Sequence, residues 1–198
     1  MKTWTCRDRR PLLDRGFFLK VEDHTVALPD GRVIADWPVV ITPDYVNILA
    51  RTTEQRFIFF RQHKYMAPGM TLSPPGGYLD PEEAPLAAAR RELREETGYA
   101  DGEWIHLGSF VVDSNRGCGN AHLYLALDVR KDAEPSSDDL EDQEMVQLTR
   151  DEVERALAEN ACAIVSAAAL IALGLRTIDA RSTSSGPCAD RINPGVRF

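Results

Sequence analysis

Residues 77–99, GYLDPEEAPLAAARRELREETGY, constrain this chain more than any other stretch. Pro85 lacks an N–H and has a fixed φ, which suits the first turn of a helix, and Gly98 suits the left-handed position just past its end. Between them Leu86, Ala89 and Leu93 recur at helical spacing, so one helix face is apolar and must pack on a core. Glu92 and Glu96 share another face. Residues four apart on a helix have Cβ atoms about 5–6 Å apart, and Glu95, three beyond Glu92, lies at the edge of that face. Three carboxylates are therefore expected to converge. Hard cations such as Mg²⁺ take oxygen ligands and bind through one or two carboxylates plus substrate phosphates, with waters in the remaining positions. An isolated acidic cluster reads instead as a solvated face, because like charges at this spacing cost only about 0.2–0.5 kcal/mol per pair.

The residues around the cluster turn the balance. The lead-in, LSPPGGYLDPEE, is dense in Pro and Gly and reads as a strand end running into a tight loop, where glycine lets backbone approach a ligand. Glu83 and Arg91 are expected to form an ion pair that fixes this loop to the helix. Together Gly77, Glu83, Arg91, Glu92, Leu93, Glu95, Glu96, Gly98 and Tyr99 fit the pattern Gx5Ex7REUxEExGU, with U apolar, at every fixed position. The stretch resembles the signature of the Nudix hydrolases, which cleave nucleoside diphosphates linked to another group. The resemblance implies that the carbonyl of Gly76 joins Glu92, Glu95 and Glu96 as a metal ligand, with Mg²⁺ or Mn²⁺ as cofactor.

At 198 residues the chain has length for one domain of ordinary size with a sizeable core. Its formal charge of −8 lacks the footprint of a nucleic-acid binder, so the expected partner is a small nucleotide. Cys6, Cys118, Cys162 and Cys188 are scattered without a CxxC pair and read as reduced thiols of a cytoplasmic protein. No basic region followed by an apolar run opens the chain, and the apolar stretch 161–175 is shorter than the roughly 20 residues of a membrane span. Neither a secretory signal nor a membrane partner is expected. His24, His63, His106 and His122 lack metal-ligand spacing and read as satisfied or surface histidines.

Segments 17–28 and 32–41 are rich in β-branched and aromatic residues and are separated by Pro29, Asp30 and Gly31, a hairpin turn. Strands are expected again at 46–51, 57–63, 104–112 and 121–129, and helices at 85–97, 151–159 and 161–175. Strands on both sides of the acidic helix imply an α/β or α+β sandwich. The Nudix resemblance specifies a mixed β-sheet between helices, with an N-terminal antiparallel hairpin extension. Expected divisions are N-terminal strands at 1–42, a Nudix domain at 43–178 and a mobile polar tail at 179–198.

Beyond the box, over roughly residues 30–175, the chain looks like the ADP-ribose pyrophosphatase branch: Phe59, Phe60, Arg61 and Gln62 match its Arg-Gln strand end, and Pro75, Gly76 and Gly77 its approach to the box. The resemblance implies that Arg61 contacts phosphate and that Trp37 is placed to stack a nucleobase. It also implies a water-activating glutamate before a short strand near the C-terminal helices. Glu144, which precedes MetValGlnLeu, matches that place, with Glu141 and Asp142 as rivals and Glu95 as the box alternative. The loop at 113–120 departs from the branch and is a candidate wall of the substrate pocket. The activity implied is cleavage of the pyrophosphate bond of ADP-ribose or another nucleoside diphosphate sugar by a homodimer joined through its N-terminal strands. The alternatives are a Nudix enzyme for dinucleotides or nucleoside triphosphates, and a non-catalytic module that senses ADP-ribose.

Overall fold

A strand of fifteen residues organises the molecule. In the computed structural model, which describes residues 3–136 and 142–184, the chain runs through β1 (Thr5–Asp14), β2 (Lys20–Ala27), β3 (Val33–Ile41), β4 (Tyr45–Thr52), β5 (Phe57–His63) and β6 (Met70–Ser73) before reaching α1 (Pro85–Thr97). It continues through β7 (Tyr99–Ala100), β8 (Glu103–Asp113), β9 (Gly117–Lys131), β10 (Gln143–Leu148), α2 (Arg150–Ala158) and α3 (Val165–Ser184). The central strand is β9. It lies parallel to β4 in the register Tyr45↔Ala121 to Arg51↔Leu127, and antiparallel to β8. The main ladder runs β1-β2-β3-β9-β4-β5-β10, so the sheet is mixed, as expected.

Alternation along β9 builds both layers of the core. Ala121, Leu123, Leu125 and Leu127 face one way and pack with Val153 of α2 and with Leu170 and Ile171 of α3. Tyr124 and Ala126 face the other way, with Ala88, Ala89 and Leu93 of α1. A strand covered on both faces reads as a nearly continuous apolar run, which is why β9 is legible in the sequence. The apolar face of α1 is the one expected from Ala89 and Leu93, and both are fully buried.

Pro85 opens α1 and Gly98, at φ 71°, closes it. A Cβ at position 98 would lie 2.0 Å from the carbonyl oxygen of Ala133, so glycine is required there by space as well as by conformation. A capping box in which Thr149 and Glu152 exchange hydrogen bonds starts α2.

Two boundaries differ from expectation. The last helix starts at Val165 rather than 161, because the carbonyl of Ala161 is taken by the N–H of Leu72 and the hydroxyl of Thr71, which pins 161–163 to β6. It also runs past residue 178 to Ser184. Arg150 holds Asp179 through both terminal guanidinium nitrogens at 2.6 and 2.8 Å, and Arg181 pairs with Glu103, so 179–184 is helix rather than tail. Residues 185–198, Cys188 among them, lie outside the described residues.

The N-terminal strands form an antiparallel extension, and β1 joins it as an edge strand that the sequence pattern does not announce. Every residue of β1 is exposed, and Pro11 interrupts it beside a register shift. Without a buried face there is no period-2 pattern to read, and proline is tolerated because the outer edge needs no N–H. No helix among the described residues is long and apolar enough to cross a membrane.

Candidate active site

The lead-in to α1 is held by the start of β4. The N–H of Val46 donates to the carbonyl of Gly77 at 2.9 Å, that of Ile48 to Pro75 at 2.9 Å, and that of Leu79 to Asp44 at 3.0 Å. This ladder presses residues 75–79 against the sheet so closely that a Cβ at position 76 would lie 2.1 Å from the carbonyl oxygen of Val46. At position 77 a Cβ would lie 2.4 Å from Glu92 Oε1. The space that a side chain at 77 would need is filled by the carboxylate of Glu92.

Glu96, one turn further along α1, accepts the N–H of Gly76 at 2.8 Å. Both carboxylates therefore lie against the Gly76–Gly77 backbone. Arg91 fixes the surroundings. Its Nε and Nη2 donate to the two oxygens of Glu83 at 3.0 and 2.9 Å, Nη1 donates to Glu92 at 2.8 Å and Glu95 at 3.2 Å, and Nη2 also reaches the carbonyl of Tyr78 at 3.2 Å. The expected Glu83–Arg91 pair is present and bidentate. Arg91 holds the Glu83 carboxyl below the usual carboxylate range, and Glu83 with Glu92 and Glu95 pushes the guanidinium up in return.

Glu95 does not converge with the other two as the helical spacing predicts. Its side chain is 48% exposed and turned to Arg91, whereas that of Glu92 is 14% exposed. Among the described residues, no three acidic, histidine or cysteine side chains form a closed ligand set. Two carboxylates on a glycine backbone nonetheless fit a hard divalent cation. The donors are all oxygen, and the one guanidinium among them is already shared by Glu83, Glu92 and Glu95. The open positions are what a phosphate-bridging cation uses.

Beside this pair lies a cleft of about 300 Å³, lined among others by Asn47, Gln62, Lys64, Ser73, Gly76 and Glu96. Arg61 is not part of it. Successive strand residues point to opposite faces, so Gln62 meets the cleft while Arg61 points away and pairs at 2.8 Å with Glu144, its partner in the register of β5 and β10. Glu144 is thus the second residue of a paired strand, not the end of a loop, because Gln143–Leu148 is zipped onto Phe57–Gln62. Of its rivals, Asp142 directly precedes β10 and Glu141 lies outside the described residues. Trp37 sits on the N-terminal strands, where its Nε1 donates to the carbonyl of Asn115 at 2.8 Å and its ring meets Trp4 edge-on at 5.2 Å. The segment 113–120, expected as a loop, is the turn 114–116 between β8 and β9 with the adjoining residues of those strands; it meets the same N-terminal strands, the Arg116 carbonyl accepting the N–H of Val40 at 2.8 Å, and it does not line the cleft.

Lys64, Gln62, Ser73 and Asn47 are the cleft residues that sequence reasoning missed. The signal for one of them was available: in a strand with Arg61 on one face, Gln62 must lie on the other. His24, His106 and His122 behave as anticipated for satisfied groups, and His63 is a surface histidine. His24 meets Glu22 at 2.8 Å, while His122 contacts Asp44 at 3.3 Å and shares the hydroxyl of Ser109 with His106.

Two helix carboxylates on a glycine loop, facing a cleft with a lysine in its wall, suit one class of chemistry, the hydrolysis of a phosphoanhydride held through a divalent cation. The NUDIX domain matches residues 42–166, and the chain belongs to the Nudix family as a pyrophosphohydrolase resembling its ADP-ribose branch. Nudix hydrolases generally use divalent metals. The chain is 30% identical over 138 residues to the methanol dehydrogenase activator of Bacillus methanolicus, covering 69% of this chain and 74% of that protein. It is 32% identical over 108 residues to the ADP-ribose pyrophosphatase of Bacillus subtilis (strain 168), covering 54% and 57%. A CMP-5'-(N-acetyl-N-hydroxy-3-aminopropyl)phosphonate hydrolase of Streptomyces rubellomurinus is 30% identical over 123 residues, covering 62% and 59%. The chain therefore spans less than two thirds of the length of the latter two. The solved structure of an ADP compounds hydrolase superposes with a TM-score of 0.76 at 18% identity, covering 91% of this chain and 97% of that one, a likeness of fold.

Proposed function

We propose that the protein hydrolyses the pyrophosphate bond of a nucleoside diphosphate linked to a sugar, with ADP-ribose, giving AMP and ribose 5-phosphate, as the leading substrate and Mg²⁺ as the metal. The observation that carries this reading is the Glu92–Glu96 pair set on the Gly76–Gly77 backbone at the edge of the cleft. Glu92, Glu96 and the Gly76 carbonyl would hold the cation, which when bound neutralises diphosphate charge and positions water.

This chain's own residues supply the rest. Arg91 keeps Glu92 and Glu95 oriented through one nitrogen. We assign the phosphate-facing cation to Lys64 in place of Arg61, because Lys64 lines the cleft and Arg61 does not. The oxygen of a water adds to one phosphorus, and the bridging oxygen leaves on the other phosphate. Glu95, half exposed beside Glu92, accepts the water proton in this reading. Glu144 remains the alternative, and a base there requires release of its pair with Arg61.

Exposed apolar side chains on the N-terminal extension, among them Leu12, Leu13, Phe17, Phe18 and Ile41, support a homodimer through those strands. Within one chain Trp37 is outside the cleft lining, so a base-stacking role belongs to a site shared between two copies. Cys6, Cys118 and Cys162 are free thiols, in keeping with a reducing, cytoplasmic location.

The test is mononucleotide release from ADP-ribose, other nucleoside diphosphate sugars, dinucleotides and nucleoside triphosphates in Mg²⁺. ADP-ribose or another nucleoside diphosphate sugar should lead the panel. Preference for triphosphates would overturn the substrate assignment, and full turnover by Glu96→Gln would overturn the metal assignment.

A further inference from the structure

Two side chains in the cleft wall are buried with polar atoms that nothing among the described residues satisfies. Gln62 is 3% exposed and Ser73 is 4% exposed, and both line the cleft beside Glu96. Gln62 Oε1 and Ser73 Oγ have no hydrogen-bond partner among the described residues. Their polar neighbours differ: the Asn47 amide donates to Ser166 Oγ at 3.0 Å, and Thr71 Oγ1 both donates to the carbonyl of Ala161 and accepts the N–H of Ala163. Buried polar atoms are nearly always paired, and an orphan carries a desolvation cost that a binding partner relieves.

We propose that Gln62 and Ser73 form a specificity subsite for a hydroxyl group of the moiety attached to the nucleoside diphosphate. The donor inventory selects the ligand class. Gln62 Oε1 only accepts, whereas the Ser73 hydroxyl donates or accepts. A ligand hydroxyl satisfies both, donating to Gln62 and accepting from Ser73. A phosphate oxygen cannot, since it would face Gln62 Oε1 as a second acceptor. The phosphate therefore belongs on the Lys64 and Glu96 side of the cleft, and the hydroxyl-bearing sugar lies over Gln62 and Ser73. A cavity of about 300 Å³ sits at the lower end of ligand-site sizes and suits a sugar phosphate better than a whole dinucleotide. The subsite rests on the reading of this cleft as the substrate cleft, and it narrows that reading to polyhydroxylated leaving groups.

A cycle between enzyme and substrate tests this. ADP-ribose is compared with the P2-ethyl ester of ADP, which keeps the diphosphate and lacks the sugar hydroxyls, in the parent enzyme and in Gln62→Met/Ser73→Ala. The parent should be about 10–100-fold lower in kcat/KM on the ethyl ester, the scale expected when buried polar groups are left without their ligand hydroxyl. The double variant should no longer discriminate and should melt no lower than the parent, since an apolar isostere removes the orphaned atoms. Calorimetric titration with ribose 5-phosphate should show at least about tenfold weaker binding by the variant, the scale of one buried hydrogen bond. Ser73→Ala alone, the smaller change, is read in the same cycle and decides the matter if the double variant does not fold. Undiminished discrimination in the variants, or a lower melting temperature with ribose 5-phosphate affinity intact, overturns the subsite and assigns a structural role to the two groups. Failure of the parent to turn over any nucleoside diphosphate sugar overturns the function first, so the two failures are distinguishable.

Discussion

A methyl group at position 77 is the smallest change that reaches the chemistry. The Cβ of Gly77→Ala would lie 2.4 Å from Glu92 Oε1, so the carboxylate must leave its place against the loop. Turnover should fall by at least about 100-fold if Glu92 holds the metal as proposed, because loss of such an oxygen costs several kcal/mol of charge stabilisation. Circular dichroism should meanwhile remain that of the parent. A variant that keeps its rate would show that Glu92 is not needed where it stands. Water activation is decided by a second pair of changes. Glu95→Gln should lower kcat by about 10²–10⁴-fold with little change in substrate affinity, the signature of a group acting in the chemical step. Glu144→Gln should change it far less, since Glu144 is engaged by Arg61 across the strands. The reverse ranking would return the role to Glu144, and a loss confined to Asp142→Asn would move it to that residue.

At the scale of the element, α1 is a catalytic scaffold stabilised by its own charges. The bidentate Arg91–Glu83 pair ties the helix to the loop that carries Gly76 and Gly77, and charge-assisted bonds of this kind contribute about 1.5–3 kcal/mol. Arg91→Ala should cost about that much by urea denaturation, and should lower turnover as well because Glu92 and Glu95 lose their orienting partner. The pair also has a pH signature. Glu83 ionises below its ordinary value of 4.5 because Arg91 donates to it. A depressed folded-state value gives stability that is fully present above 4.5 and is lost as pH falls through the lower, folded value. Near neutrality this contribution should be fully present and independent of pH, and thermal stability should decline below about pH 4.5. In Glu83→Gln that acid limb should be shallower, and an unchanged limb would mean that the pair contributes nothing measurable.

For the whole molecule, the proposed assembly turns on the N-terminal strands. β1 pairs with the rest only through β2, and β3 meets β9 at the single pair Val40↔Gly117. An extension so lightly attached, with Phe17 and Phe18 46% and 65% exposed, is expected to be covered by a second copy. Light scattering at micromolar concentration should give twice the chain mass, and Leu13→Asp with Phe18→Asp should shift it toward the monomer. A monomeric parent would refute the dimer and with it any shared role for Trp37.

Residues 77–99 announce α1, its two ends, its buried face and its carboxylate pair, because helix caps, helical period and charge spacing are local properties of consecutive residues. The β-strands with a buried face are legible for the same reason, and β1 is not, having no buried face to write a pattern. What only the tertiary structure decided is which side chains meet across elements. The family resemblance points Arg61 and Glu144 each toward substrate, yet cross-strand register pairs them with one another. Gln62 and Ser73, unremarkable in sequence, lie together in the cleft wall with their polar atoms unsatisfied. Spacing along the chain sets which residues share a helix face. The partner opposite a strand residue is set by register, and register depends on how distant segments pack.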